Sequence, residues 1–84
     1  MAMTLAANKE LSAVPVGARA EVVSIHANGM MRRRLLDLGL VPGTVVEAVR
    51  RSPAGDPTAF SIRGATIALR STEGRKVLVR QVVG

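Results

Sequence analysis

The sequence contains no cysteine, no tryptophan and no tyrosine, and Phe60 is its one aromatic residue. Without cysteine the chain can form neither a disulfide nor a thiolate metal site, so nothing in it requires an oxidising compartment. The shortage of aromatics means that a core for 84 residues must be built from aliphatic side chains. It also leaves no series of rings on which the bases of a single-stranded nucleic acid could stack.

Long apolar runs are missing as well, because no stretch approaches the roughly 20 residues that a helix needs to cross a bilayer. The N-terminal segment has no basic region ahead of its apolar part, and Lys9 and Glu10 interrupt that part, so it does not match a signal peptide. We therefore expect a cytoplasmic protein without direct membrane insertion. Residues 1–84 are expected to form a single domain, with residues 1–10 frayed.

Acidic residues are scarce: the chain has 12 Lys+Arg, ten of them arginine, against 6 Asp+Glu, for a net charge of +6. Arginine favours carboxylate and phosphate partners because its guanidinium is a planar fork of donors, although a charge of this size is also ordinary for solubility. His26 is the single histidine, the carboxylates are scattered, and no phosphate-binding glycine motif is present. We predict no catalytic residues, no metal site and no cofactor, and therefore no enzyme.

Runs rich in β-branched residues predict four short strands, at residues 19–25, 44–51, 58–63 and 76–83. A helical lead-in is predicted around Leu11 and Val14. Residues 66–74 are ambiguous and fit a helical turn that ends at Gly74. Four or five strands with one helix indicate a mainly β fold, a small antiparallel β-barrel whose closure removes exposed strand edges. Any edge left exposed favours self-association, so a homo-oligomer is a candidate assembly.

The inserted helix has a recognisable beginning and end. Asn28 is the predicted N-cap. Gly39 stands where a left-handed C′ glycine ends a helix, and Leu40 would then contact Leu35 as in a Schellman motif. Pro42, followed by Gly43, indicates a turn beyond the helix. These signals predict a helix of about ten residues.

An arginine run occupies the outside of this predicted helix. Three apolar residues share the inward face, namely Met31, Leu35 and Leu38. Arg33 and Asp37 lie on the far side, in the less favourable order for an i, i+4 pair, which contributes only a few tenths of a kcal/mol. Packing of the core does not require three adjacent cations, so we expect these arginines to contribute little to the stability of the fold.

Two interpretations of the run remain open, a solvated helix face and a docking surface for another protein. An exposed leucine rimmed by arginines is a common interface composition. The predicted partner-binding residues are Arg32, Arg33, Leu36, Arg50 and Arg51. A nucleic-acid-binding barrel is an alternative, because the cations could contact phosphates, but no stacking platform supports it and no nucleic acid partner is expected.

An ordered set of short motifs resembles the FeoA family, small cytosolic components of bacterial ferrous iron uptake. The motifs are Arg34-Leu35, Asp37-Leu38-Gly39-Leu40, Pro42-Gly43-Thr44, Gly55-Asp56-Pro57 and Ile67-Ala68-Leu69-Arg70, preceded by Leu11, Val14 and Gly17. The resemblance covers nearly the whole chain from Leu11 onward. Most motif residues are interpreted as structural, namely Asn28, Leu35, Leu38, Gly39, Pro42, Gly43, Asp56 and Pro57.

The resemblance implies an SH3-like antiparallel β-barrel with a short inserted α-helix. It also implies a non-enzymatic accessory role, in which the protein docks on the cytoplasmic GTP-binding part of a FeoB-like membrane permease. Through that partner the protein would be peripheral at the inner membrane. The same barrel occurs in iron-dependent repressors, so a metal-responsive regulatory domain is a further alternative.

Overall fold

The structure is a computed structural model that describes residues 8–82. Its strands, in chain order, are β1 (Lys9–Glu10), β2 (Arg19–Ile25), β3 (Val45–Arg51), β4 (Thr58–Ile62), β5 (Ala65–Leu69) and β6 (Val77–Val82). Its helical segments are a 3-10 turn (Leu11–Ala13), α1 (Gly29–Asp37) and α2 (Ser71–Gly74). The strands form one antiparallel sheet in the order β1-β6-β2-β3-β4-β5.

Most predicted elements are confirmed, with bounds that agree to about one residue. The helical lead-in, the inserted helix and the four predicted strands are all present, although Val83 lies outside the described residues. The predicted count of four or five strands is wrong, because residues 8–82 contain six. Residues 1–7 also lie outside the description. The prediction of fraying is wrong for Lys9 and Glu10, which pair with β6.

The helical turn predicted for residues 66–74 is wrong in its first half. Arg63 and Gly64 both have positive φ, 52° and 84°, as a two-residue type I′ hairpin requires. This turn pairs Ile62 with Ala65 and sends the chain back along β4 as strand β5. Ile67 therefore faces the core as a strand residue, and the helix begins only at Ser71.

The core is aliphatic and combines the inward positions of the strands with side chains from the helical segments and the loops. Phe60 is its single ring, 2% exposed. The other buried side chains are Leu11, Val14, Ala20, Val22, Ile25, Leu35, Leu40, Val46, Ala48, Ile62, Leu69, Val77 and Val79. They form one continuous cluster, so the sheet curls around a single core.

The sheet is curled like a barrel, but within residues 8–82 its edge strands β1 and β5 do not close it by pairing with each other, in contrast to the closed barrel that the sequence predicts. Instead, α2, which follows β5, packs against the 3-10 turn, which follows β1. The approach is close: a Cβ added to Gly74 would lie 3.1 Å from the backbone nitrogen of Ser12. The barrel-like shape is therefore completed by packing of helical segments, because β1 has only two residues to offer a partner strand.

Candidate partner-binding surface

The C-terminal end of α1 fixes how the helix sits on the sheet. The N–H of Gly39 donates to the carbonyl oxygen of Leu36 at 2.9 Å, and the N–H of Leu40 donates to that of Leu35 at 3.1 Å. This is the hydrogen-bond pattern of a Schellman ending, and Gly39 supplies the positive φ of 104° that it requires. Leu35 and Leu40 are both fully buried, so the helix end is fastened to the core on both sides of the glycine.

The turn after the helix directs the chain into β3. The N–H of Thr44 donates to the carbonyl oxygen of Val41 at 2.9 Å, and Gly43 has a φ of 96°. Proline followed by a glycine of positive φ is typical of a type II turn. The N–H of Gly43 also donates to the carbonyl oxygen of Val22 at 2.8 Å, which ties the turn to β2.

At the N-terminal end, the predicted N-cap position of Asn28 is confirmed, without the side-chain hydrogen bond that usually accompanies it. The backbone carbonyl oxygen of Asn28 accepts from the N–H of Arg32 at 3.4 Å. Gly29, the first residue of α1, has a φ of 58°, which is outside the right-handed helical region.

The three consecutive arginines have different surroundings, and the expectation that they brace little is wrong for two of them. Arg32 donates from Nη1 to the carbonyl oxygen of Ile25 at 3.2 Å and so ties α1 to the end of β2. Arg34 forms an ion pair with Glu73 of α2. All three arginines are exposed, but Arg33 contacts only its own helix, 4.0 Å from Asp37 in a pair whose side chains are 83% and 72% exposed.

Leu36 does not stand exposed between arginines as predicted. It is half-buried and packs against the core, because it lies beside the inward face occupied by the fully buried Leu35. Met31 and Leu38 are likewise half-buried against the core.

The exposed apolar residue of the helix is Met30, at 89% exposure, which the sequence reasoning missed. Its spacing to Arg33 and Asp37, at i+3 and i+7, places all three on one side of α1 and would have revealed it. We call Met30, Arg33 and Asp37 the α1 face.

Arg50 and Arg51 belong to a different part of the molecule from the α1 face. They are the last two residues of β3, opposite Ala59 and Thr58 of β4. Within residues 8–82 no hydrogen bond or ion pair joins them to α1. Because neighbouring strand residues point to opposite sides, Arg51 is directed to the side of Thr58, to which its Nε donates at 3.4 Å, and Arg50 to the other side.

The β3–β4 loop is held by its acidic residue. Asp56 accepts two hydrogen bonds from Ser71, one from the backbone N–H and one from the hydroxyl, both at 3.0 Å. A carboxylate with two donors holds the loop firmly against the start of α2. Pro57 follows at the point where the chain enters β4.

The described residues offer little support for a nucleic-acid site, a metal site or a membrane-spanning helix. Phe60 is buried, so the chain offers no aromatic ring for base stacking. His26 is exposed, with Nε2 2.9 Å from the hydroxyl of Ser24. No three His, Asp or Glu side chains within residues 8–82 are grouped so that they could hold a metal ion. In the same range, no helix has the length and apolarity needed to cross a membrane.

A curled six-stranded antiparallel sheet around one aliphatic core, with a helix between β2 and β3, is the architecture of an SH3-like domain. The sequence matches the FeoA domain over residues 9–81, and the chain belongs to the FeoA family. The expectation drawn from the ordered motifs is thereby confirmed.

Two solved relatives and one fusion protein illustrate the family. The FeoA protein of Chlorobium tepidum is 38% identical, with a TM-score of 0.83 over 90% of this chain and 72% of that one. The zinc complex of FeoA from Stenotrophomonas maltophilia, a procaryotic SH3 domain protein, is 36% identical, with a TM-score of 0.75 over 84% and 88% of the two chains.

The third relative is the Fe(2+) transport protein A/Fe(2+) transporter FeoB fusion protein of Porphyromonas gingivalis. It is 29% identical over 72 residues, which are 86% of this chain but 8% of the fusion protein. The chain therefore spans less than a tenth of that relative.

Proposed function

We propose that this protein is a non-enzymatic accessory component of bacterial ferrous iron uptake, which docks on the cytoplasmic GTP-binding part of a FeoB-like permease. The observation that carries the proposal is the fusion protein, in which a domain similar to this chain is joined to FeoB in one polypeptide. Covalent linkage keeps the two parts at high effective concentration, and a separate chain needs a binding surface to reach the same proximity. The protein would then act on the cytoplasmic side of the inner membrane, held there by its partner.

The α1 face is the surface best suited to this contact. Met30 provides exposed apolar area, and Arg33 provides a guanidinium that its distant, exposed neighbour Asp37 hardly neutralises. Methionine and arginine are both enriched at protein interfaces. Because α1 is fixed by the Schellman ending and by Arg34, the face is presented on a rigid support and little ordering is needed on binding.

The partner-binding residues predicted from the sequence take separate roles in this proposal. Arg33 is a direct contact. Arg32 holds the helix through its hydrogen bond to Ile25, and Leu36 holds it by packing against the core. Arg50 is exposed at the end of β3 and adds positive charge outside the α1 face, whereas Arg51 points to the other side of that strand.

Binding to the isolated cytoplasmic domain of a FeoB-like permease tests the surface. We expect Arg33→Glu and Met30→Asp each to weaken the Kd about tenfold, the effect of losing roughly 1.4 kcal/mol. Titration calorimetry gives the Kd, and circular dichroism checks that each variant is folded. Leu36→Asp is a poor test, because Leu36 packs against the core and its replacement would alter folding.

A matched control separates local contact from overall charge. Arg75→Glu removes the same charge from another exposed arginine, at the end of α2. We expect it to leave the Kd within about twofold. Equal weakening by Arg33→Glu and Arg75→Glu, or none by either, would remove the α1 face as the contact.

A cellular experiment tests the accessory role itself. Deletion of the gene is expected to lower ferrous iron uptake, and the wild-type gene is expected to restore it where the Arg33→Glu gene does not. Uptake that is unaffected by the deletion would contradict the proposed function.

A further inference from the structure

A small cavity opens at one end of the barrel, where the end of β3, the start of β4 and the end of β5 meet α2 and the 3-10 turn. Its volume is about 150 Å³. Phe60 and Leu69 line its inner part, and both are almost completely buried in the core. Arg51, Thr58, Arg70 and Ser71 supply its polar wall. We call this the mouth cavity; ligand sites are frequent in the mouths of β-barrels.

Positive charge dominates the wall of the mouth cavity. Arg51 uses its Nε for Thr58, at 3.4 Å, which leaves both terminal guanidinium nitrogens for a ligand. Arg70 has no acidic partner among residues 8–82. Both arginines come from fixed backbone, Arg51 from the paired end of β3 and Arg70 from the junction of β5 and α2.

The acidic side chains of the same region already have donors. The carboxylate of Asp56 accepts two hydrogen bonds from Ser71. That of Glu73 accepts from the backbone N–H of Arg70 at 3.0 Å and pairs with Arg34 of α1. Among residues 8–82 neither carboxylate forms an ion pair with Arg51 or Arg70, whose guanidinium groups keep their capacity to bind an anion.

The size of the mouth cavity limits the ligand. Sites for drug-sized molecules and cofactors occupy roughly 300–1,000 Å³. A cavity of about 150 Å³ holds a group of about six heavy atoms, such as benzene in an engineered case. A nucleotide is larger than this volume, whereas one carboxylate with a short aliphatic stem matches it.

The chemistry of the wall selects among small anions. A phosphate needs donors around all its oxygens, but the lining of the mouth cavity also includes the carbon side chains of Phe60 and Leu69. A carboxylate has its two oxygens on one side, where Arg51 and Arg70 can donate, and carbon on the other. We propose that the mouth cavity binds a single aliphatic carboxylate, either a free small acid or the side chain of a glutamate in another protein.

NMR titration of the isotope-labelled protein tests this site, because the probes are small and no partner is needed. The probes are sodium propionate, N-acetylglutamic acid α-amide and inorganic phosphate, each matched in ionic strength by sodium chloride. We expect the two carboxylates to give saturable shifts of the backbone amides of Arg51, Gly55 and Ser71, with no comparable shift from chloride. Tighter binding of propionate favours a free acid, and tighter binding of the glutamate derivative favours a side chain.

Variants connect the shifts to the two guanidinium groups. Arg51→Gln and Arg70→Gln are each expected to weaken carboxylate binding about tenfold, because each removes a charge-assisted hydrogen bond. Arg50→Gln is the matched control, since it removes the neighbouring charge on the other side of β3, and we expect no change. The proposal is overturned if neither carboxylate saturates, if phosphate binds more tightly than both, or if Arg50→Gln and Arg51→Gln have equal effects.

Discussion

Gly39 is the residue at which backbone conformation and packing are both most demanding. Its φ of 104° excludes ordinary side chains. A Cβ built there would also lie 3.0 Å from Cγ2 of Ile62 and 3.1 Å from Cδ of Arg63. The sequence predicted the helix ending, because its signal is local. It could not predict the contact with β4, which depends on the folded sheet.

Gly39→Ala is expected to destabilise the protein by about 3 kcal/mol, combining backbone strain of about 1–2 kcal/mol with overpacking of at least 1 kcal/mol. Gly43→Ala is the control, because Gly43 has a similar φ of 96° but nothing within 4 Å of an added Cβ. Strain alone should then cost about 1–2 kcal/mol. Urea unfolding followed by circular dichroism measures both. Equal losses would show that the contact with Ile62 and Arg63 relaxes freely.

The core face of α1 supports a second prediction at the scale of single residues. Leu35 is fully buried, whereas Leu36 is half-buried at the edge of the core. Leu35→Ala should lower the free energy of unfolding by about 3 kcal/mol, since it leaves a cavity, and Leu36→Ala by about 1 kcal/mol. The same unfolding experiment compares them, and a larger loss for Leu36→Ala would contradict the described orientation of the helix.

At the scale of elements, α1 is coupled to α2 by a pair that no local pattern could reveal. Arg34 and Glu73 are far apart in sequence, and their side chains are 51% and 13% exposed. Helical periodicity predicted the inward face of Met31, Leu35 and Leu38, because that depends only on spacing, but it missed that Leu36 also packs against the core. It could not distinguish the roles of three adjacent arginines, because these depend on which elements the sheet brings beside the helix.

A double-mutant cycle with Arg34→Ala and Glu73→Ala should give a coupling energy of about 1 kcal/mol that decreases as salt is added. The figure is modest because half of the Arg34 side chain is in solvent. Arg33→Ala with Asp37→Ala is the matched cycle, and we expect no coupling above experimental error for that exposed pair. Equal coupling in the two cycles would mean that Arg34 does not anchor α1 to α2.

Strand β5 could likewise not be predicted from local apolar spacing alone. Residues 66–74 carry apolar spacings that fit both a helical turn and a strand, and the deciding feature is the Arg63-Gly64 hairpin. Gly64, at the second position of the turn, is a recognisable hairpin signal in the sequence. The positive φ of Arg63, at the first position, could not be recognised from the sequence. The mouth cavity was therefore beyond prediction, since it needs β5 and α2 in their observed places.

For the whole molecule, the net charge of +6 influences the rate at which it associates with a charged partner. Only three arginines, Arg33, Arg34 and Arg80, have an acidic partner within 4 Å among residues 8–82, so most of the positive field is not cancelled locally. Such a field accelerates association with an acidic surface over distances comparable to the Debye length. Rim charges change the association rate, whereas residues at the contact change the dissociation rate.

If the protein docks on a FeoB-like cytoplasmic domain as proposed, raising the salt from about 0.1 M to about 1 M shortens the Debye length from about 10 Å to about 3 Å. We expect the association rate to fall about tenfold or more over this range, with little change in the dissociation rate. Arg75→Glu should flatten the salt dependence of association as much as Arg33→Glu, because each lowers the net charge by two units. Only Arg33→Glu should speed dissociation. Surface plasmon resonance measures both rates. An association rate that does not change with salt concentration would show that the electrostatic field of the whole molecule does not contribute to docking.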